Sequence, residues 1–191
     1  QTVAQLPQVT EPRNPGMALD MDWVARVQAN TSAIERRCAS LPARRSVKKQ
    51  NQAAWLLKAI TCIDLTTLSG DDTERRVGRL CAKARQPVRP DILAALGMSE
   101  RNLTTGAVCV YHTMVETAVK ALEGTDIPVA AVSTGFPAGL SPFELRVKEI
   151  EASVAAGAKE IDIVITRGHV LTGNWQALYD EIKAFRVACK D

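Results

Sequence analysis

From residue 60 onward, short apolar runs alternate four times with amphipathic stretches of helical length, and this rhythm constrains the fold more than any single residue. The runs are "AITCIDLTTL", "TGAVCVY", "IPVAAVSTGF" and "EIDIVIT", rich in Val, Ile and Ala and bounded by Gly, Pro or polar residues. Such runs are expected of parallel strands buried on both faces. The intervening segments are "DDTERRVGRLCAKA", "HTMVETAVKALEG", "SPFELRVKEIEASVAAG" and "NWQALYDEIKAFRVACK". Asp71 or Asp72 and Ser141 suit helix N-caps, with Pro142 at a first helical position and Glu144 at capping-box spacing from Ser141. Gly124 and Gly157 close the second and third helices as C-terminal caps. Four β-α repeats predict an α/β fold with a parallel sheet. A doubly wound sheet and the first half of a (β/α)8 TIM barrel both satisfy the pattern. No G-x-G-x-x-G or G-x-x-x-x-G-K-[ST] fingerprint accompanies the strands.

Upstream, residues 1–20 carry three prolines and little periodicity, and read as a flexible leader. Residues 21–58 read as N-terminal helices, two short ones broken near Asn30 and Thr31 and a third over "NQAAWLLKAI" with Asn51 as its cap. Residues 59–191 hold the repeats. A hydrophobic share of 46% in 191 residues is enough for one core. The net charge of +3 draws on "PARRSVKK" at 42–49, which reads as a solvated linker and not as a nucleic-acid surface. No apolar run reaches the roughly 18 residues of a membrane span. Five scattered cysteines without a C-x-x-C pair, and only two histidines, fit reduced thiols in a reducing, cytoplasmic compartment and disfavour structural zinc.

Two strands carry an aspartate inside the apolar run. Asp64 in "CIDLTT" and Asp162 in "EIDIVIT" occupy similar places in their repeats. A carboxylate in a buried strand is costly unless something pairs with it. Alternation along a strand puts Asp64, Thr66 and Leu68 on one face, and Asp162 with Val164. In a barrel the two acids would point inward, either perturbing one another or pairing with a cation, or else each accepts hydrogen bonds as an internal polar staple. Cys109, flanked by Val108 and Val110, reads as a core thiol. His112 opens the helix after its strand and His169 lies in the loop after the fourth, both as packing or surface residues. "GFPAG" at 135–139 reads as a rigid turn.

Together, "QAAWLLKAITCIDLTTLSGDDT", "AVCVY", "GFPAG", "AKEIDIVI" and "VLTGNWQALYDEI" resemble the deoxyribose-phosphate aldolase family, especially its animal form, over roughly residues 17–190. The resemblance implies a β/α barrel lyase that reversibly cleaves 2-deoxyribose 5-phosphate into glyceraldehyde 3-phosphate and acetaldehyde in cytoplasmic deoxynucleoside breakdown. It implies a lysine Schiff base, with no metal and no other cofactor. Asp162 matches the aspartate that shuttles protons, Asp64 the first-strand aspartate supporting the lysine network, Thr66 a substrate-side hydroxyl and Cys109 a pocket cysteine. His112 stands where the family has proline, and "TRGHVL" departs from its usual loop. The family's Schiff-base lysine, its partner lysine and its phosphate-binding glycine loops lie on later strands than these four. Lys58, Lys120, Lys148, Lys183 and Lys190 fall in helical patterns, and Lys159 precedes its strand. The expectation is therefore the amino-terminal, truncated part of such an enzyme, inactive alone and self-associating through its open edges. The alternative is a non-catalytic half-barrel that serves as an interaction or regulatory module.

Overall fold

The computed structural model describes residues 15–44 and 46–190, so residues 1–14 of the expected leader lie outside it. Three helices come first, α1 (Met21–Arg26), α2 (Thr31–Ser40) and α3 (Lys49–Ile60). The repeats follow as β1 (Asp64–Thr66), α4 (Glu74–Arg85), α5 (Pro90–Ala95), β2 (Ala107–Tyr111), a 3₁₀ turn (His112–Met114) and α6 (Val115–Ala121). Then come β3 (Val129–Val132), α7 (Phe143–Ala155), β4 (Glu160–Asp162), α8 (Arg167–Leu171) and α9 (Trp175–Ala188).

The strands are all parallel and lie in the order β1-β2-β3-β4. That order decides between the two closures. A doubly wound sheet reverses direction at a switch point. A barrel adds each strand on the same side, so its helices cover one face only. Here Val108, Val110, Val129 and Ala131 pack outward against Val77, Cys81 and Ala84 of α4 and Val115 and Ala118 of α6. Ile161 and Ile163 join Ile150 of α7 and Phe185 and Ala188 of α9 in a second cluster. The opposite face holds Cys109, Ala130 and Val132, packed against Leu68, Tyr111 and Phe136 and not against a helix of the repeats. The fold is the first four β-α units of a TIM barrel.

Several local expectations are corrected. Only β2 and β3 are buried on both faces; Asp64, Thr66, Glu160 and Asp162 are exposed, because β1 and β4 are the edges of the sheet. Asp64 therefore bears no large desolvation cost within this half. Thr73, not Asp71 or Asp72, caps α4, its hydroxyl accepting from Arg76 N at 3.3 Å. The two aspartates bind Arg76 and the Ser69 and Thr67 hydroxyls instead. Pro142 takes the cap position of α7, so Ser141 lies outside it, and Asn51 lies inside α3. The short helices α5 and α8 escape a periodicity test because each spans less than two turns. His169 is on α8, not in a loop, and Lys190 lies past the end of α9. Asn30 does cap α2, its side chain accepting from Ala33 N. Gly157 ends α7 at φ +100°, where its N–H reaches Val154 O at 3.0 Å and a Cβ would press on Val119. Helices α1–α3 contain no buried residue.

Candidate functional site

The side chains that face away from the helices are set by register. Thr66 pairs with Cys109, Cys109 with Ala130, Ala130 with Glu160 and Val132 with Asp162. Period-2 alternation then puts Asp64, Thr66, Cys109, Glu160 and Asp162 on one surface. All four residues expected from the sequence thus share a face. Glu160 was missed, although the spacing from Asp162 was a sufficient signal.

Cys109 is the hinge of this arrangement. It is 2% exposed, and its thiol donates to Asp162 Oδ2 at 3.4 Å. Burial pushes the thiol up to about 12, reinforced by the charge of Asp162, its hydrogen bond, and the charge of Asp64. It is a protonated donor at neutral pH, not a nucleophile. Burial, then the charges of Asp64 and Asp162, also raises Glu160. No hydrogen bond joins the two aspartates, which stand on the first and fourth strands; they act on common neighbours. Among the described residues none of the three acids has an ion-pair partner. Nor does any described group of His, Cys, Asp and Glu form a metal site. Thr66 turns its hydroxyl back to Asp64 O at 2.7 Å.

The loops beyond β3 and β4 are tied together by residues without a local sequence signal. Ser133 N donates to Asp162 O at 2.9 Å, and Thr134 Oγ1 accepts from Val164 N at 2.5 Å. Glu149 of α7 accepts from Gly135 N at 2.9 Å, and its other oxygen is 3.5 Å from His112 Nδ1. Behind them Glu181 accepts from Thr166 N at 2.8 Å, from its hydroxyl at 2.5 Å and from Arg146 Nη2 at 2.7 Å. The Arg146 guanidinium lies 5.8 Å and 5.3 Å from the Phe143 and Phe185 ring centres. Along the free edge of β4, a groove of about 860 Å³ opens between Ile161 and Ile163 and the α9 residues Ile182 and Phe185. No lysine among the described residues stands at the C-terminal end of a strand.

Residues 58–191 match the family described as DeoC/LacD family aldolase. The mouse (Mus musculus) deoxyribose-phosphate aldolase is 57% identical over 176 residues, which are 91% of this chain and 55% of the relative. The human (Homo sapiens) protein of that name is 56% identical over 178 residues, 92% of this chain and 56% of its own length. A solved structure from Coccidioides immitis, provisionally named a deoxyribose-phosphate aldolase, aligns with a TM-score of 0.58 at 27% identity. It is covered over 47% of its length by 71% of this chain. The chain spans about half the length of the curated relatives it matches. With the singly wound sheet and the whole matched span agreeing, the chain belongs to the DeoC/LacD family of aldolases.

Proposed function

We propose that this chain supplies the first half of the catalytic barrel of a deoxyribose-phosphate aldolase. The observation that carries the reading is the acidic face turned away from the helices, with Asp162 at the C-terminal end of β4 and Asp64 at the start of β1. On that face Asp162, one oxygen held by the Cys109 thiol at 3.4 Å, is joined by Asp64, and among the described residues neither has an ion-pair partner. Reversible cleavage of 2-deoxyribose 5-phosphate through a lysine Schiff base requires a proton to be taken from one intermediate and returned to the next. Asp162 is the group for that transfer, through its exposed oxygen and a water. Asp64 anchors the ammonium of the lysine pair, Thr66 lies on the substrate side with its hydroxyl donating to Asp64 O, and Cys109 fills the wall beside it. No metal and no other cofactor enters. The same reading places the protein in the cytoplasm, and no described helix is long and apolar enough to cross a membrane.

The lysines of this chain do not serve as the nucleophile. Schiff-base lysines need desolvation or a neighbouring cation to be neutral often enough to attack, whereas Lys58, Lys120, Lys148 and Lys183 lie on helices and Lys159 precedes β4. The test is to incubate the purified chain with deoxyribose 5-phosphate, reduce with borohydride and map adducts, with and without the carboxy-terminal half of an animal relative. Turnover and a single lysine adduct are expected only with the added half. Within that complex, Asp162→Asn should lower turnover by about 10² to 10⁴ with the fold intact. Turnover by the chain alone, or a fully active Asp162→Asn complex, overturns the assignment.

A further inference from the structure

The ladder between β3 and β4 ends at Val132 and Asp162, with Ser133 N donating to Asp162 O at 2.9 Å. One residue on, Thr134 leaves the extended conformation for φ +59° while remaining fully buried. A β-branched residue in the left-handed region is an outlier that persists only where its surroundings over-determine it. Glycine would occupy this backbone without strain, so the threonine side chain must supply what glycine lacks. Its hydroxyl accepts from Val164 N at 2.5 Å and lies 2.9 Å from Val164 O and 2.7 Å from Ser133 O. One side chain thus takes the place of the next rung of the sheet, two residues beyond Asp162. Two residues further, Thr166 is clamped by Glu181.

We propose that Thr134 is a positioning residue for Asp162: its hydroxyl, held in place by a strained backbone, extends the β3–β4 pairing and fixes the direction in which the Asp162 carboxylate leaves the strand. This rests on the reading of Asp162 as the proton-transfer group, but it is tested without turnover, so its failure leaves that reading standing. Without the hydroxyl, the Val164 N–H and carbonyl are left unpaired and residues 163–166 relax, carrying Asp162 away from the Cys109 thiol.

The test compares Thr134→Ser, which keeps the hydroxyl, with Thr134→Gly, which relieves the strain but removes it. Two quantities are read on the full chain: hydrogen exchange over 163–166, and iodoacetamide labelling of Cys109 relative to Cys81 at mildly alkaline pH. Cys81 is fully buried in the outer core and serves as an internal control for general loosening. The Gly variant is expected to exchange the Val164 amide at least about tenfold faster and to label Cys109 several-fold faster against Cys81; the Ser variant should behave as the parent. A Gly variant that keeps the parent's protection and labelling ratio overturns the proposal. So does a parallel rise at both cysteines, which would make Thr134 a general stabiliser, and so does a Ser variant that fails to restore the parent's behaviour.

Discussion

Asp162 constrains the chemistry of Cys109, and the direction of that constraint is measurable. A thiol pushed up to about 12 is almost wholly protonated at neutral pH, and its proton is directed at Asp162 Oδ2. Each unit of pKa changes the thiolate population tenfold. Replacing Asp162 with Asn removes a charge and leaves burial, the largest cause, in place. Cys109 in Asp162→Asn should therefore alkylate on the order of tenfold faster at a given alkaline pH, while remaining slower than exposed Cys62. An unchanged or slower rate would show that burial alone sets the thiol. The sequence already had Cys109 as a core thiol, from its valine neighbours, and the structure buries it to 2% exposure. Its contact with Asp162 spans 53 residues and was not legible, because no local pattern encodes which strand lies two places away.

At the scale of elements, the network of Arg146 on α7, Glu181 on α9 and Thr166 after β4 is the most consequential feature that the sequence hid. Arg146 and Glu181 lie 35 residues apart, each on a helix whose pattern would place a charge at the surface. Both are instead buried, at 5% exposure. Breaking such a pair from one side leaves a buried charge uncompensated. Glu181→Leu should cost about 3–5 kcal/mol, whereas combining it with Arg146→Met should recover most of the loss. Urea denaturation of the two variants decides this, and a double variant as unstable as the single one would mean that the pair itself supplies the stability. The network also has a pH signature. Burial acts to raise Glu181, but the Thr166 hydroxyl and N–H and the charge of Arg146 outweigh it and hold its carboxyl below the usual glutamate range. A carboxyl lowered on folding adds stability above its unfolded value of about 4.3, and that contribution is lost as pH falls through the folded value. Parent stability should drop through that acid window more steeply than that of the double variant, in urea midpoints measured at successive pH values. The alternation of strands and helices, by contrast, was legible along the chain, because periodicity is a local property. Cap identity was less so. Thr73 competes with two adjacent aspartates, and the choice between them is made by Arg76, which draws both acids to itself.

For the whole molecule, the sheet has two edges and one face without helices, and these differ in chemistry. The free edge of β4 borders a groove in which the apolar Ile161, Ile163, Ile182 and Phe185 sit beside charged residues such as Lys159 and Arg186. Ile63, directly before β1, is exposed, as are Leu56 and Trp55 on α3, Trp55 by 65%. Unpaired strand edges flanked by apolar side chains template further pairing. The face between them carries Asp64, Glu160 and Asp162 without described counter-ions, and burial together with the charges of Asp64 and Asp162 raises Glu160. Two copies meeting face to face would bring like charges together, so association should run through the edges and be opposed by the acidic face. Salt separates these contributions. Screening shortens the reach of the repulsion from about 10 Å at 0.1 M to about 3 Å at 1 M and leaves edge pairing nearly untouched. The isolated chain should therefore self-associate in sedimentation experiments, more strongly as salt rises. Replacing Asp64 and Asp162 with Asn should promote association at low salt. A monomer that melts in one sharp transition and ignores salt would mean that the four strands form a self-sufficient sheet. Association that weakens with salt would mean that ion pairs, not edges, join the copies.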